Sequence, residues 1–391
     1  MLSIIKQRAV ELMPQMRIWR RHLHSNPELS SKEFETANYI REQLNSMKIP
    51  WKEVARTGSL AYIGKGEPSI VLRADIDALP ISEENDVEYK SKNEGRMHAC
   101  GHDFHTAMLL AAAQILKDNE EHLNGAVKLI FQHSEELLPG GALDFIKDGE
   151  IIEGNPIAVL GQHVLPTAPC GTIHIGSGAI MASTAELYWT VAGKSSHAAS
   201  PQLGADPVLA ASQLVVALQT LVTKFRSPLK PVILTVASFE ALSSPNIIPE
   251  RACLKGTLRT YEPKLQELFI EKIKIFSENI CAIYGCQCKL EVVYGYPPVK
   301  NAPAIAEQVS TIAGQLFGTE KTKVFEPVMW AEDFAYYSEK IPGCFWFLGT
   351  KTEGDEAPAP LHNCRFNPDE NAMAVGAALM AAAAIELINN S

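Results

Sequence analysis

The chain has 391 residues, with 45 acidic against 35 basic side chains, a formal net charge of −10, and 46% hydrophobic and 20% charged residues. This is the composition of a folded globular protein and leaves no room for extensive disorder. The acidic balance, with no Lys/Arg-rich block, argues against a nucleic-acid partner, and the length predicts two domains rather than one core.

The opening `MLSIIKQRAVELMPQM` reads as an amphipathic helix, not as a basic stretch followed by an apolar leader. The longest apolar run, Ala372 to Ile385, is 14 residues. That is too short to span a bilayer and predicts a buried helix. A cytoplasmic protein with no membrane partner is the expectation. The eight cysteines are scattered and read as reduced thiols. Cys281, Cys286 and Cys288 match no common zinc spacing and read as buried bystanders.

Residues 2 to 49 read as two helices broken at `HSNPELSSKEFET`. Asn26-Pro27 stops the first, and Ser30 or Ser31 caps the second. `SLAYIG` and `SIVLRADIDAL` follow as strands, the latter apolar until Arg73, Asp75 and Asp77. A helix is expected from Phe104 to about Leu116, then the strand `GAVKLIFQ`, the short helix `GALDFIKDG` and the strand `IAVLGQHV`. This alternation predicts a largely parallel α/β sheet. After Ala182 the order becomes β-α-β-β-α-β, the ferredoxin-like arrangement. After Pro297-Pro298 the first rhythm resumes, with a helix from Ala302 to Phe317, the strand `KVFEP`, a helix around `AEDFAYYSEK`, the strand `GCFWFLG` and a last helix from Pro368. Residues 1–182 and 298–391 are therefore expected to form one discontinuous α/β domain, with 183–297 inserted as a second.

The chemistry-bearing residues gather in the larger domain. In `MHACGHDFH`, Cys100 and His102 lie two apart and, on an extended segment, face one side. Thiolate and imidazole suit a borderline divalent cation, although C-x-H alone is weak evidence. In `FQHSEE`, Glu135 and Glu136 leave an apolar strand side by side. They repel unless a cation neutralises them, and the conflict resolves if one ligates a metal and the other acts as general base. His163 ends `VLGQHV`, and His362 sits in `PLHNCRFN`. Each alone is more often structural. Together, Cys100, His102, Glu136, His163 and His362 sit at or past strand ends, where open α/β sheets place their ligands. Five such donors suit two divalent ions better than one. In the inserted region, His197 in `GKSSHAASP`, Asn246 in `SPNIIPE` and Arg259 in `GTLRT` each read alone as surface residues. Jointly they form a candidate carboxylate clamp.

The segments `RRHLHSNPELSSKEFET`, `RADIDALP`, `MHACGHD`, `SEE`, `GKSSHAA`, `NIIPE`, `EDFAYY` and `LHN` occur in the order found in metal-dependent amidohydrolases. The chain resembles the family of hippurate hydrolases, bacterial N-acyl-amino-acid amidohydrolases and plant indole-acetyl-amino-acid hydrolases from about residue 15 to the last helix. The resemblance implies a di-metal peptidase-like catalytic domain with an inserted ferredoxin-like lid or dimerisation domain, and hydrolysis of the amide bond of N-acyl amino acids. It implies metal ligands at Cys100, His102, Glu136, His163 and His362, with Cys100 where related peptidases have a bridging aspartate. It also implies the base at Glu135, a carbonyl-binding histidine at His197, substrate-carboxylate contacts at Asn246 and Arg259, and a homodimer through the inserted domain. Asp75 is expected to orient a ligand from behind. Two divalent ions per subunit, Zn or Mn foremost with Co or Ni tolerated, are the expected cofactors. Phe104 replaces a usual glycine, His133-Ser134 a usual Pro-Ala, and `ELLPGGA` is longer than the common version. These departures are expected to reshape the acyl pocket. An N-acetyl-diaminopimelate deacetylase and a small-dipeptide hydrolase would use the same residues. A metal-stabilised binding protein without turnover would predict a missing base or a broken ligand set, and here both are complete.

Overall fold

Runs such as Ile70–Leu72 and Cys344–Leu348 have no polar face, so their strands must be covered on both sides. In a computed structural model that describes residues 1–391, they lie in the middle of an eight-stranded sheet. Its order is Trp51–Val54, Gly58–Gly64, Ala126–Gln132, Ser69–Asp75, Ala158–Pro169, Gly343–Lys351, Ile173–Ile175, Thr322–Val324. The four central strands, from Ala126–Gln132 to Gly343–Lys351, run parallel. Gly58–Gly64 pairs antiparallel with both of its neighbours, and Ile173–Ile175 pairs antiparallel with Gly343–Lys351. The sheet is thus mixed, not largely parallel. The reason is local: Trp51–Val54 and Gly58–Gly64 are joined by a turn far too short for a parallel crossover. Trp51–Val54 and Ile173–Ile175 are also too short to show a strand pattern in sequence.

Helices cover this sheet. His102–Asp118 and Met373–Asn389 are buried along most of their length, and the alanines of the latter allow close packing. With the 3-10 turn Glu370–Ala372 the last helix reaches 20 residues, long and apolar enough to cross a membrane, yet 78% of its most apolar 18-residue stretch is buried inside the protein. Counting only the uninterrupted apolar run underestimated its length. The N-terminal region has three helices, not two: Leu2–Glu11, Met13–Ser25 and Phe34–Ser46. Pro14 falls in the first turn of the second, where its missing N–H costs nothing. Neither Ser30 nor Ser31 caps the third helix; Glu33 precedes it. The Ser30 hydroxyl donates to Asp77 Oδ2 at 2.7 Å instead, a stronger attraction than a helix amide because the acceptor is charged.

The chain divides into two compact units, Met1–Ile180 with Val299–Pro327 and Glu332–Ser391, and Met181–Pro298 with Val328–Ala331. In the second unit, four antiparallel strands run in the order Val232–Glu240, Arg251–Thr260, Ser183–Ala192, Gln287–Tyr294. Alternate residues Leu187, Trp189 and Val191 pack with Leu214 and Leu218 of helix Pro207–Lys224 and with Phe269 and Ile273 of helix Pro263–Ile283. Asp206 caps the first of these helices by accepting the amides of Val208 and Leu209. The segment Val328–Ala331 joins this unit through a Met181–Val328 bridge and an Ala182 amide donating to the Trp330 carbonyl. Nothing in its composition announces this return.

Candidate metal centre

Gly101 turns the chain between Cys100 and His102. Its φ of 88° is left-handed, and a Cβ there would lie 2.6 Å from Val164 Cγ2, so only glycine fits. Cys100 therefore ends a loop while His102 opens a helix; the two are not on one extended segment. They converge because of this turn. Cys100 Sγ lies 3.3 Å from His163 Nε2. His102 Nδ1 donates to the Asp77 carbonyl at 2.8 Å, and His163 Nδ1 to the Val164 carbonyl at 2.8 Å. Those bonds fix the tautomers, so each Nε2 carries a lone pair. His163 is interior to its strand, paired across from Phe347. The strand runs on to Pro169 because Val164 and Leu165 continue the buried pattern.

Glu136 and His362 complete the arrangement. His362 sits at φ 63°, and its amide donates to the Ala99 carbonyl at 2.8 Å, tying its loop to the Cys100 loop. Its Nε2 faces Glu136 Oε1 at 3.2 Å, and His102 Nε2 faces the same oxygen at 3.9 Å. Donor atoms of Cys100, His102 and His163 lie within 4.8 Å of one another, and so do those of Cys100, Glu136 and His362. Cys100 belongs to both groups. His102 Nε2 is buried with no hydrogen-bond partner, and Glu136 Oε1 is buried with no well-aligned donor. Buried lone pairs without donors are costly, and a thiolate, imidazoles and a carboxylate that share one sulfur fit a pair of borderline divalent cations.

The electrostatics agree. Burial, then Glu136, Glu135 and Asp75, push the Cys100 thiol well up. Burial, then Glu332, Glu136, Asp333 and Asp77, push Glu135 well up. Burial alone would lower His102, yet Asp75, Asp77 and Glu136 raise it to about 10. The pocket is short of positive charge, which bound cations would supply.

Behind this centre the sequence reading expected Asp75 and missed the parts played by Asp77 and His105. Asp77 Oδ1 accepts the Glu135 amide and Oδ2 the Glu136 amide, each at 3.0 Å. Asp75 faces His102 Nε2 at 3.6 Å and bonds His105 Nδ1 at 2.7 Å. His105 Nε2 in turn accepts the Val164 amide at 3.0 Å. The cue was present in the charged end of an apolar strand, but charge alone gives no direction. Phe104, expected near the acyl pocket, is fully buried in the core with the Arg20 guanidinium 5.4 Å from its ring centroid. It packs because helix His102–Asp118 is buried on all faces. His133 is buried as well, with Nδ1 3.0 Å from Ser134 Oγ.

The other three candidates lie in the second unit. His197 pairs with Ile247, and the Ala198 amide donates to the Asn246 carbonyl at 2.9 Å, so His197 and Asn246 are neighbours. The Ala199 amide donates to His197 Nδ1 at 3.0 Å, leaving the neutral ring's proton on Nε2. Arg259, half-buried on strand Arg251–Thr260, donates from Nη1 to the Met329 carbonyl at 2.9 Å.

Residues 71–386 match the model of peptidase family M20/M25/M40. The chain belongs to that family. It is 41% identical to the N-acetyl-L-cysteine deacetylase of Bacillus subtilis over 90% of this chain and 83% of that protein. It is 37% identical to the IAA-amino acid hydrolase ILR1-like 5 of Arabidopsis thaliana over 95% and 86%. The crystal structure of the Bacillus subtilis YXEP protein, described as a dinuclear metal-binding peptidase from the M20 family, superimposes with a TM-score of 0.85 at 33% identity, covering 97% of this chain and 99% of that one. This M20 chain is a metal-dependent amidohydrolase.

Proposed function

We propose that this enzyme hydrolyses the amide bond of N-acyl amino acids, releasing a carboxylic acid and a free amino acid. The observation that carries the reading is the sharing of Cys100 between two donor groups with Glu135 beside them. The deacetylase and the plant hydrolase named above, which act on N-acylated amino acids by name, support the substrate class.

Cys100, His102, Glu136, His163 and His362 would hold two divalent ions, zinc or manganese foremost, with cobalt or nickel tolerated by the same donors. Bound there, the ions lower the pKa of water and polarise the amide carbonyl. Glu135 takes the proton of the attacking water and delivers it to the leaving amine nitrogen. Its place suits this, because its carboxylate lies within 4.8 Å of the His102 and Glu136 donor atoms. Asp75 is assigned to orient the ligands from behind, through His105 and the Val164 amide beside His163. We assign His197 Nε2–H to the carbonyl oxygen, where losing one donor typically costs roughly 10²–10³ in rate. Asn246 and Arg259 are assigned to the substrate carboxylate. We further assign the second unit as a lid that also forms a homodimer, and place the enzyme in the cytoplasm. Its eight unpaired cysteines support a reducing compartment.

The test is Glu135→Gln assayed on acetyl-, benzoyl- and long-chain acyl amino acids beside dipeptides, with and without chelator. The expected result is metal content equal to wild type and turnover reduced by about 10³ or more. Full turnover with normal metal content refutes the base assignment. Dipeptides turned over in preference to every acyl amino acid would refute the substrate class.

A further inference from the structure

The `AEDF` segment, residues 331–334, supplies no donor to the centre described so far, although two of its residues stand among the charges around Glu135. Its two acids are nonetheless buried, Glu332 at 2% and Asp333 at 0% exposure. They converge on Glu135: one oxygen from each of Glu135, Glu332 and Asp333 lies within 4.8 Å of the other two. Three carboxylates gathered away from water require a cation, and the cation at this place is Arg73.

The guanidinium of Arg73 is fully engaged as a fork. Nε donates to Gln132 Oε1 at 3.0 Å, and Nη1 to Asp75 Oδ2 at 2.8 Å. Nη2 serves both Asp333 Oδ1 at 2.7 Å and Glu332 Oε1 at 2.9 Å. The two acids differ in what else holds them. Asp333 also takes the Gln132 amide on both oxygens, at 2.9 and 2.7 Å, and the Ala142 backbone amide at 3.0 Å; it belongs to the frame that joins the strands and loops. Glu332 has the Phe334 amide, two residues along its own loop, at 3.1 Å. Glu332 is therefore the acid whose chief external partner is the guanidinium beside Glu135.

Resting on the reading of Glu135 as the base, we propose that Glu332 is a positioning residue for it. By occupying Nη2 of Arg73, Glu332 limits how far the Glu135 carboxylate leans towards the guanidinium, and so keeps it at the donor cluster. A buried guanidinium that loses one acid pulls harder on the carboxylates left around it; Asp75 and Asp333 are already bonded to it, so the added pull falls on Glu135, whose charge also acts on Arg73. A carboxylate turned onto Arg73 spends its lone pairs on guanidinium N–H groups and leaves hydrogen-bond reach of the water it must deprotonate. A displacement of about 1 Å is enough to cost on the order of 10²-fold in rate.

The experiment uses the full-length, metal-loaded enzyme in three forms: wild type, Glu332→Gln and Glu332→Leu. Gln keeps an oxygen that accepts from Nη2 and lacks the charge; Leu removes the acceptor. The expected order of kcat is wild type above Gln above Leu, with Leu down about 10²-fold and KM within about threefold. Metal content and Tm should stay close to wild type in the Gln form, and a crystal structure of the Leu form should show Glu135 shifted towards Arg73. The proposal is overturned if Glu135 keeps its place in that structure, or if kcat of the Leu form stays within about threefold of wild type. It is equally overturned if the Gln form loses metal and Tm in step with kcat, which is the signature of a purely structural acid. Glu135→Gln runs alongside. If that variant turns over, the base reading fails first. If it is inactive while Glu332→Leu keeps kcat, the positioning role alone fails.

Discussion

At the scale of single residues, Asp77 shows how one carboxylate can set several others. It accepts the amides of Glu135 and Glu136 and the hydroxyl of Ser30, and its Oδ1 stands 3.3 Å from His102 Nδ1. Burial would raise its pKa, but His102, Ser30 and the Glu136 amide outweigh that and hold it below the usual value of 3.8. Asp77→Asn keeps the shape but replaces one acceptor oxygen by an NH₂ group, which must face an amide N–H. We expect metal affinity to fall about 10–100-fold and kcat to fall with it, read by competitive titration against a chromophoric chelator and by steady-state kinetics. Unchanged affinity and kcat would remove Asp77 from the account. The candidate donors that the structure brings together were visible in sequence, since Cys and His beside glycine, and paired glutamates after an apolar strand, draw the eye. Asp77, His105 and Glu332 were not legible, because their roles depend on which atoms lie opposite them across 25 to 259 residues of chain.

At the scale of elements, helix Met13–Ser25 is tied to helix His102–Asp118 by a buried charge network. Arg20 Nε bonds Asp103 Oδ2 at 2.8 Å, and His24 lies between Asp103 at 2.9 Å and Glu83 at 3.1 Å. Burial and the Arg20 charge would lower His24, but Asp103 and Glu83 prevail and raise it above its usual 6.5. A histidine raised on folding adds stability that is complete below about pH 6.5 and is lost as pH climbs through the folded value. The Tm difference between wild type and His24→Gln should therefore narrow as pH rises above about 6.5, and a gap that stays constant or widens would contradict this. Helix positions and most strands were readable from periodicity and from Pro and Gly punctuation. The break at Leu12, the strand Ile173–Ile175 and the return of Val328–Ala331 to the second unit were not, because each is decided by tertiary pairing rather than by local pattern.

At the scale of the molecule, two cores divide the labour. The first builds the donor cluster on the ends and interior of a parallel sheet centre. The second, of βαββαβ order, carries His197, Asn246 and Arg259. The change of element order between Ala182 and Pro297 falls close to the bounds Met181–Pro298 of the second unit. The mixed character of the large sheet was not legible, since strand direction is set by connections that sequence shows only as length. The central claim is that one cysteine sulfur is common to two cation sites. Anomalous diffraction from crystals of the enzyme loaded with manganese tests it most directly. The account predicts two peaks on either side of Cys100 Sγ, one towards His102 and His163 and the other towards Glu136 and His362. A single peak, or two peaks of which one lies beyond bonding distance of that sulfur, would contradict it.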